Sequence, residues 1–287
     1  MKQLGLALHW HRQEVIELAQ KAITWCENSG LVQLSMGERE AQLVGRPDLL
    51  CVENFGQGLD ACLSIGGDGT ILHAAALVSK YDVPILGINA GNLGYLAEID
   101  PENLETVLDA WVKDDLAEEE RMMLKVTIPN GSEDPQTNEF HCLNEVVLYR
   151  SQSGRTMSIG AKINGKDFLS YTADGVVLAT PTGSTAYSLS AGGPIVEPGF
   201  KALVLTPVAA HMAFNRSMVF PPETSIEFVV EGYRPAEVTI DGRTVAHLDP
   251  GDLIICTASQ RTAKFLKHEP RDFHATLKDK FGIKDIR

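Results

Sequence analysis

The chain changes its pattern near residue 122, and no other feature restricts the fold as much. Upstream, short apolar runs alternate with stretches of helical period. LGLAL (Leu4–Leu8), LDACLSI (Leu59–Ile65) and VPILGINA (Val83–Ala90) read as buried strands. QEVIELAQKAITWCEN puts Val15, Ile16, Leu18, Ala19, Ala22, Ile23 and Cys26 at helical spacing, with Gly30 beyond as a stop signal. GTILHAAALVSKY and DPENLETVLDAWVKDD read as further helices, the second with Asp100 as N-cap and Pro101 at the first helical position. Such alternation predicts a parallel sheet covered by helices. Downstream, LKVTI, CLNEVVLY, SIGAKI, VVLAT, ALVLT, SIEFVV, AEVTI, DLIIC and AKFLK follow one another without helices, and Asn164-Gly165 and Asp241-Gly242 are hairpin signals. The expected organisation is an α/β domain over 1–122 and an all-β domain of sandwich type over 123–268. The tail from 269 to 287 reads as helical and is expected to pack back on the first domain. The acidic run DDLAEEE (Asp114–Glu120) reads as a solvated helix end.

Charge narrows the partners. With a net charge of −13 the chain lacks the basic stripe of a nucleic-acid binder, and it suits an anionic membrane poorly. No apolar run approaches the roughly 18 residues of a membrane helix. The N-terminal apolar run, broken early by His-Trp-His-Arg, is too short for a signal peptide, which points to the cytoplasm. Five scattered cysteines without a C-x-x-C pair fit reduced, mostly buried thiols rather than a zinc site. A phosphate-bearing ligand would therefore have to be met locally, by backbone N–H groups, a few cations and a divalent metal.

Two stretches carry such chemistry. In LSIGGDGTILHAA, Gly66, Gly67 and Gly69 allow a sharp turn with close ligand approach, and Thr70 and the next N–H groups open a helix whose positive end favours anions. Asp68 in their midst weakens simple phosphate binding. It fits either a general base for a hydroxyl attacking phosphate or a structural residue capping the helix. The second stretch, YTADGVVLATPTGSTAYSLSAGGPIV (Tyr171–Val196), is dense in hydroxyls and small residues, and Tyr187 adds an aromatic face. It suits a polar ligand with ribose and phosphate groups, or an ordinary surface turn. Asn144-Glu145 offers an amide for a base edge and a carboxyl for sugar hydroxyls. Both reach one ligand only if the strand ends or bulges there; otherwise they are an exposed polar pair. GAKINGKD (Gly160–Asp167) imitates a P-loop but lacks the Ser or Thr for magnesium.

Together GGDGT (Gly66–Thr70), GINAGNLGYLAEI (Gly87–Ile99), Asn144-Glu145 and ATPTGSTAYSLSAGGPIV (Ala179–Val196) resemble the NAD kinases, in the same order and over most of the chain. The resemblance implies phosphoryl transfer, usually from ATP, to the adenosine ribose 2′-hydroxyl of NAD. It implies a phosphofructokinase-like α/β domain with a β-rich domain, a divalent metal such as Mg²⁺, and homo-oligomers, dimers or tetramers. By the same resemblance Asp68 matches the base and Gly69 lies against substrate. His73 stands where Arg is common, Asn144 and Glu145 match nucleoside-binding residues, and Arg155 matches a polar or basic position. Asp174 and the run Thr185, Ala186, Tyr187, Ser188, Leu189, Ser190 match the NAD-binding loop. No side chain is assigned to the metal. IDGR (Ile240–Arg243) resembles a D-G-Q-type turn with Arg243 in the third place, Ser217 stands where proline is expected, and Thr172 is uncharged where some relatives are basic. Two rival readings stay open: a kinase with the same turn acting on a lipid or sugar phosphate, and a non-catalytic dinucleotide sensor.

Overall fold

Strands buried on both faces lose the alternation of apolar and polar residues, and the first strands of this chain do so: Leu4, Leu6, Ala7, Leu63, Ile65, Leu86 and Ile88 are all inaccessible to solvent. A computed structural model describes residues 1–9, 12–51, 54–91, 94–97, 99–129, 138–151, 155–268 and 272–283. Asn92, Leu93 and Glu98 of the GINAGNLGYLAEI stretch, and the His11 and Trp10 that break the first apolar run, lie outside the described residues. The chain divides into two compact units, Met1–Glu120 with Ala263–Arg287, and Arg121–Thr262.

In the first unit the order is β1 (Lys2–Leu8), α1 (Gln13–Ser29), β2 (Val32–Met36), α2 (Glu38–Val44), β3 (Ala61–Gly66), α3 (Asp68–Val78), β4 (Ile85–Asn89) and α4 (Leu104–Val112). The strands are parallel in the order β2-β1-β3-β4, with Leu4 opposite Ala61 and Gly66 opposite Asn89. Gly30 ends α1 in the left-handed conformation that glycine adopts freely, returning its N–H to Cys26 O. Val15, Ala19, Ala22 and Ile23 of α1 and Val107, Leu108 and Trp111 of α4 pack into one core with β1, β2 and β3.

The second unit contains β5 (Ala117–Thr127, entering from the first), β6 (Glu139–Cys142), β7 (Glu145–Arg150), β8 (Met157–Ile163), β9 (Lys166–Ala173), β10 (Gly175–Ala179), α5 (Tyr187–Ser190), β11 (Leu203–Val208), β12 (Met218–Phe220), β13 (Ile226–Glu231), β14 (Ala236–Ile240), β15 (Arg243–Leu248) and β16 (Leu253–Lys267). Helix α6 (Phe273–Phe281) follows in the segment that belongs to the first unit. Six strands form an antiparallel sheet, β12-β11-β10-β7-β14-β15, and β9, β8, β13 and β16 run antiparallel in another. Alternate residues of both, such as Val146, Leu148, Val176 and Leu178 on one and Ile159, Phe228 and Ile254 on the other, share a core, as in a sandwich.

Several expectations are corrected here. DLIIC and AKFLK are one strand, β16, because the polar interval between them simply stays extended. Only the start of DDLAEEE ends a helix; Ala117–Glu120 belong to β5, where alternate acids face solvent. Asp100 makes no side-chain cap and opens a short 3-10 turn at Pro101–Asn103, so α4 begins at Leu104. CLNEVVLY is two strands with a bend at Leu143-Asn144. VQLSM forms β2, and β9, β12 and β15 are further strands absent from the sequence reading. Cys26, Cys62, Cys142 and Cys256 are buried as unpaired thiols, and burial pushes the Cys26 and Cys62 thiols up to about 12. Among the described residues no helix is long and apolar enough to cross a membrane.

Candidate functional site

The candidate residues fall into two groups, one in each unit. The first begins where β3 runs into α3. Gly66 has no room for a side chain: a Cβ there would stand 2.2 Å from Thr70 Oγ1. At Gly67 and Gly69, by contrast, a Cβ would meet no atom within 4 Å. The turn is thus tight on its inner side and open on its outer side. Gly67 is the N-cap of α3 and supplies no side chain; the Thr70 N–H bonds to Gly67 O at 3.0 Å, and the N–H groups of Asp68 and Gly69 ahead of it face the open side of the turn.

Asp68 does not cap its own helix. Its carboxylate reaches across to the segment after β4, where Oδ2 accepts the Tyr95 N–H at 2.9 Å and Oδ1 accepts those of Leu96 at 3.0 Å and Ala97 at 3.3 Å. Gly94 precedes them because a Cβ there would lie 2.1 Å from Asp68 Oδ1. The Tyr95 ring in turn lies 6.4 Å from that of Phe273 and carries Lys280 Nζ 4.5 Å from its centroid. A carboxylate has about four lone-pair sites. Among the described residues three are taken, which leaves one on Oδ2. His73 follows one turn into α3 and is half-buried.

Beside this turn the first unit holds a cavity of about 930 Å³ lined by residues including Arg12, Gln13, Lys21, Asn89, Ala90 and Asp100. The Ala90 N–H bonds to Gly66 O at 2.9 Å, which ties the cavity rim to the glycine turn. Arg12 donates to Ala90 O at 2.6 Å, and the buried Asn89 Oδ1 has no hydrogen-bond partner among the described residues. Arg12 and Asn89 were not singled out from sequence. The signal was their position at the carboxyl ends of parallel strands, where open α/β sheets bind ligands.

The second group gathers around the bend between β6 and β7. Asn144 and Glu145 are both buried, at 9% and 6% exposure, so they are not an exposed polar pair. The strand ends between them, which satisfies the condition for both to serve one ligand. Glu145 Oε2 is buried with no hydrogen-bond partner, and desolvation, with the charge of Asp241, pushes its carboxyl up to about 8 although the Tyr187 N–H bonds to it. Burial raises the Tyr187 phenol as well, with Tyr149, Asp174 and Glu145 adding to it, so these four lie within one electrostatic neighbourhood. Tyr187 itself is exposed. Asp174 pairs with Arg150 at 2.9 Å. Arg155 is exposed just before β8.

The hydroxyl-rich run bonds largely to itself rather than presenting its hydroxyls outward. Ser184 Oγ donates to Pro181 O and accepts the Val196 N–H, Thr185 Oγ1 donates to Thr182 O, and the buried Ser188 Oγ pairs with Thr206 Oγ1 at 3.2 Å. What the run leaves outward is the exposed Tyr187 and Ser190 and the half-buried Ala186 and Leu189. Asp241, Thr180 and Gly183, which hold the bend, were not assigned a role from sequence; the Asp-Gly hairpin signal marked Asp241 only as a turn.

Residues 4–116 match the ATP-NAD kinase N-terminal domain family and residues 143–268 the ATP-NAD kinase C-terminal domain family. The NAD kinase of Desulforamulus reducens is 33% identical over 282 residues, covering 98% of this chain and 97% of that protein. That of Caldanaerobacter subterraneus is 34% identical over 283 residues, covering 98% and 99%. Among solved structures, an NAD kinase from Archaeoglobus fulgidus in complex with ATP superposes with a TM-score of 0.73 at 25% identity, covering 98% of this chain and 97% of that one. Yeast NADH kinase complexed with NADH gives 0.89 at 24% identity, covering 100% and 89%.

Proposed function

This chain belongs to the ATP-NAD kinase family, and from that premise we propose that it phosphorylates the adenosine ribose 2′-hydroxyl of NAD with ATP, Asp68 orienting the hydroxyl and taking its proton. The chain is a phosphotransferase that binds NAD and ATP. As the hydroxyl oxygen bonds to the γ-phosphorus, the bond to ADP breaks and the proton passes to the carboxylate. A loose phosphoryl transition state asks the protein for positioning and for donors to the developing charge rather than for covalent chemistry. The Asp68 and Gly69 N–H groups at the start of α3 are donors of that kind.

One observation carries this reading: the Asp68 carboxylate is held by three N–H groups of Tyr95, Leu96 and Ala97 and, among the described residues, keeps a lone pair on Oδ2. A side chain so fixed is preorganised as a proton acceptor. Its bonds to that separate segment speak against the plain helix cap. Asn144 and Glu145 would receive the nucleoside, and Tyr187, Asp174 and the rest of the Thr185–Ser190 run would border it, with Gly69 against the acceptor sugar and His73 and Arg155 toward phosphate. The cavity by Arg12 and Asn89 has the size of a nucleotide site.

Among the described residues no three His, Cys, Asp or Glu side chains gather to hold a metal. A Mg²⁺ carried in on the triphosphate would be held by phosphate oxygens and water, with one or two carboxylates at most. Bound so, the ion would neutralise phosphate charge. A cytoplasmic location and a homo-oligomeric assembly, dimer or tetramer, complete the reading.

The test is an assay of NADP formed from NAD, ATP and magnesium by the wild type and by Asp68→Asn. Loss of a general base costs about 10²–10⁴-fold in turnover, and that is the expected fall, with the fold retained and the melting temperature lowered as the charge leaves three hydrogen bonds. Near-normal turnover in the variant removes Asp68 from proton transfer.

A further inference from the structure

The bend at Leu143-Asn144 interrupts the ladder between two strands, and the peptide groups there lose their sheet partners. Buried peptide groups must find others. All six polar backbone groups of Leu143, Asn144 and Glu145 do, and with only two residues. Asp241 Oδ2 accepts the Leu143 N–H at 2.9 Å, and Oδ1 accepts those of Asn144 at 2.8 Å and Glu145 at 3.2 Å. The Asp241 N–H donates back to Glu145 O at 3.1 Å. On the opposite side Thr180 donates its N–H to Asn144 O at 2.8 Å and its hydroxyl to Leu143 O at 2.5 Å.

Asp241 is delivered to this point by the sheet. Ile240 at the end of β14 pairs with Val146 in β7, and the hairpin turn begins at the next residue, with Asp241 at φ 46° and Gly242 at φ 76°. Asp is among the few residues that enter the left-handed region readily, so a single side chain can both make the turn and aim back over β7. Burial raises its carboxyl, and the three N–H bonds oppose this by favouring the ionised form. Glu145 Oε2 beside it has no donor, so any proton shared by the pair rests on Glu145.

We propose that Asp241 is a positioning residue for substrate recognition: by taking the N–H groups of Leu143, Asn144 and Glu145 it fixes the angle at which Asn144 and Glu145 meet the nucleoside of NAD. This rests on the reading of Asn144 and Glu145 as nucleoside contacts. Asp241 touches no substrate in this scheme; it acts through the backbone it holds. All three N–H groups of the bend are spent and each of its carbonyls already holds a donor, which leaves the two side chains as its freest groups for a ligand.

The experiment measures KM for NAD and for ATP separately, with the full chain, in Asp241→Asn, Thr180→Val and Asn144→Ala. The isosteric Asp241→Asn loses the charge from three hydrogen bonds, and charge-assisted bonds are about twice as strong as neutral ones. Its KM for NAD is expected to rise about tenfold or more, while KM for ATP stays within about twofold. Thr180→Val, which releases the other side of the bend, is expected to do the same to a smaller degree. A raised KM for NAD in Asn144→Ala with an unchanged one in Asp241→Asn overturns the inference alone. No change in either overturns the nucleoside reading and the inference with it. A fall in kcat with both KM values altered equally reduces Asp241 to a folding residue. If Asp241→Asn does not fold, Thr180→Val decides, and an unchanged KM for NAD there counts against the proposal.

Discussion

A carboxyl group taken out of water keeps its proton to higher pH, and Glu145 is such a group, raised from its ordinary 4.5 to about 8 by burial and by the charge of Asp241. The folded chain therefore binds a proton at Glu145 that the unfolded chain has released once the pH passes 4.5. Stability from this group is full below that pH and is lost as the pH rises through about 8. Glu145→Gln removes the titration. The variant's melting temperature is expected to vary less than the wild type's between pH 5 and pH 8 and to exceed it most at the alkaline end. Thermal melts across that range check it, and an equal slope in both proteins would return Glu145 to an ordinary solvated acid. At the same scale Asp68 shows what a sequence conceals. Its place in GGDGT was visible, and so was the choice between a cap and a base. That its oxygens would be spent on Tyr95, Leu96 and Ala97 was not, because those partners lie nearly thirty residues away and nothing in the local spacing names them.

Elements were legible where a local signal is strong. The helical stripe of α1 with Gly30 beyond it reads directly, and so do the turns at Asn164-Gly165 and Asp241-Gly242, both of which adopt positive φ at each central residue. Strands were lost where alternation is weak or polar: β9 exposes most of its length, and β15 is largely solvated. The run Pro181–Ser190 was legible as small and hydroxylated, but a second use of that composition, in packing, was not. Small residues there let the backbone pack against the Asn144 bend. A Cβ on Gly183 would stand 2.1 Å from Asn144 O, and the Gly183 N–H bonds to Thr180 Oγ1. Gly183→Ala forces the element away from the bend. Overpacking of this kind costs about 1–3 kcal/mol, and the expected outcome is a lower denaturant midpoint together with weaker NAD binding, measured by urea titration and by ligand titration of the folded variant.

At the scale of the whole molecule the first unit is assembled from both ends of the chain. Phe265 in the last part of β16 pairs in parallel with Ile85, Lys264 bonds Asp82 at 2.6 Å and lies 3.5 Å from Glu118, and α6 lays Phe273 near Tyr95. Truncation after Thr262 removes all of these while leaving Arg121–Thr262 whole. The truncated chain is expected to show a marked drop in the melting temperature of the first unit and early proteolysis within residues 1–120, with the second unit's fragment persisting. Limited proteolysis followed by mass analysis would reveal it, and equal resistance of both units would mean that the returning segment contributes little.

The returning segment also sets an order of events during synthesis. Domains fold largely as units as the chain leaves the ribosome. Here Met1–Glu120 cannot reach its final form until the segment from Ala263 onward has emerged, whereas Arg121–Thr262 is contiguous and can close earlier. The α/β unit, with its glycine turn and Asp68, therefore matures after the β unit that follows it in the chain. Termination just before Ala263 would leave a β unit able to fold beside an unfinished α/β partner. Competence for catalysis is thus withheld until the segment from Ala263 onward has joined the first unit.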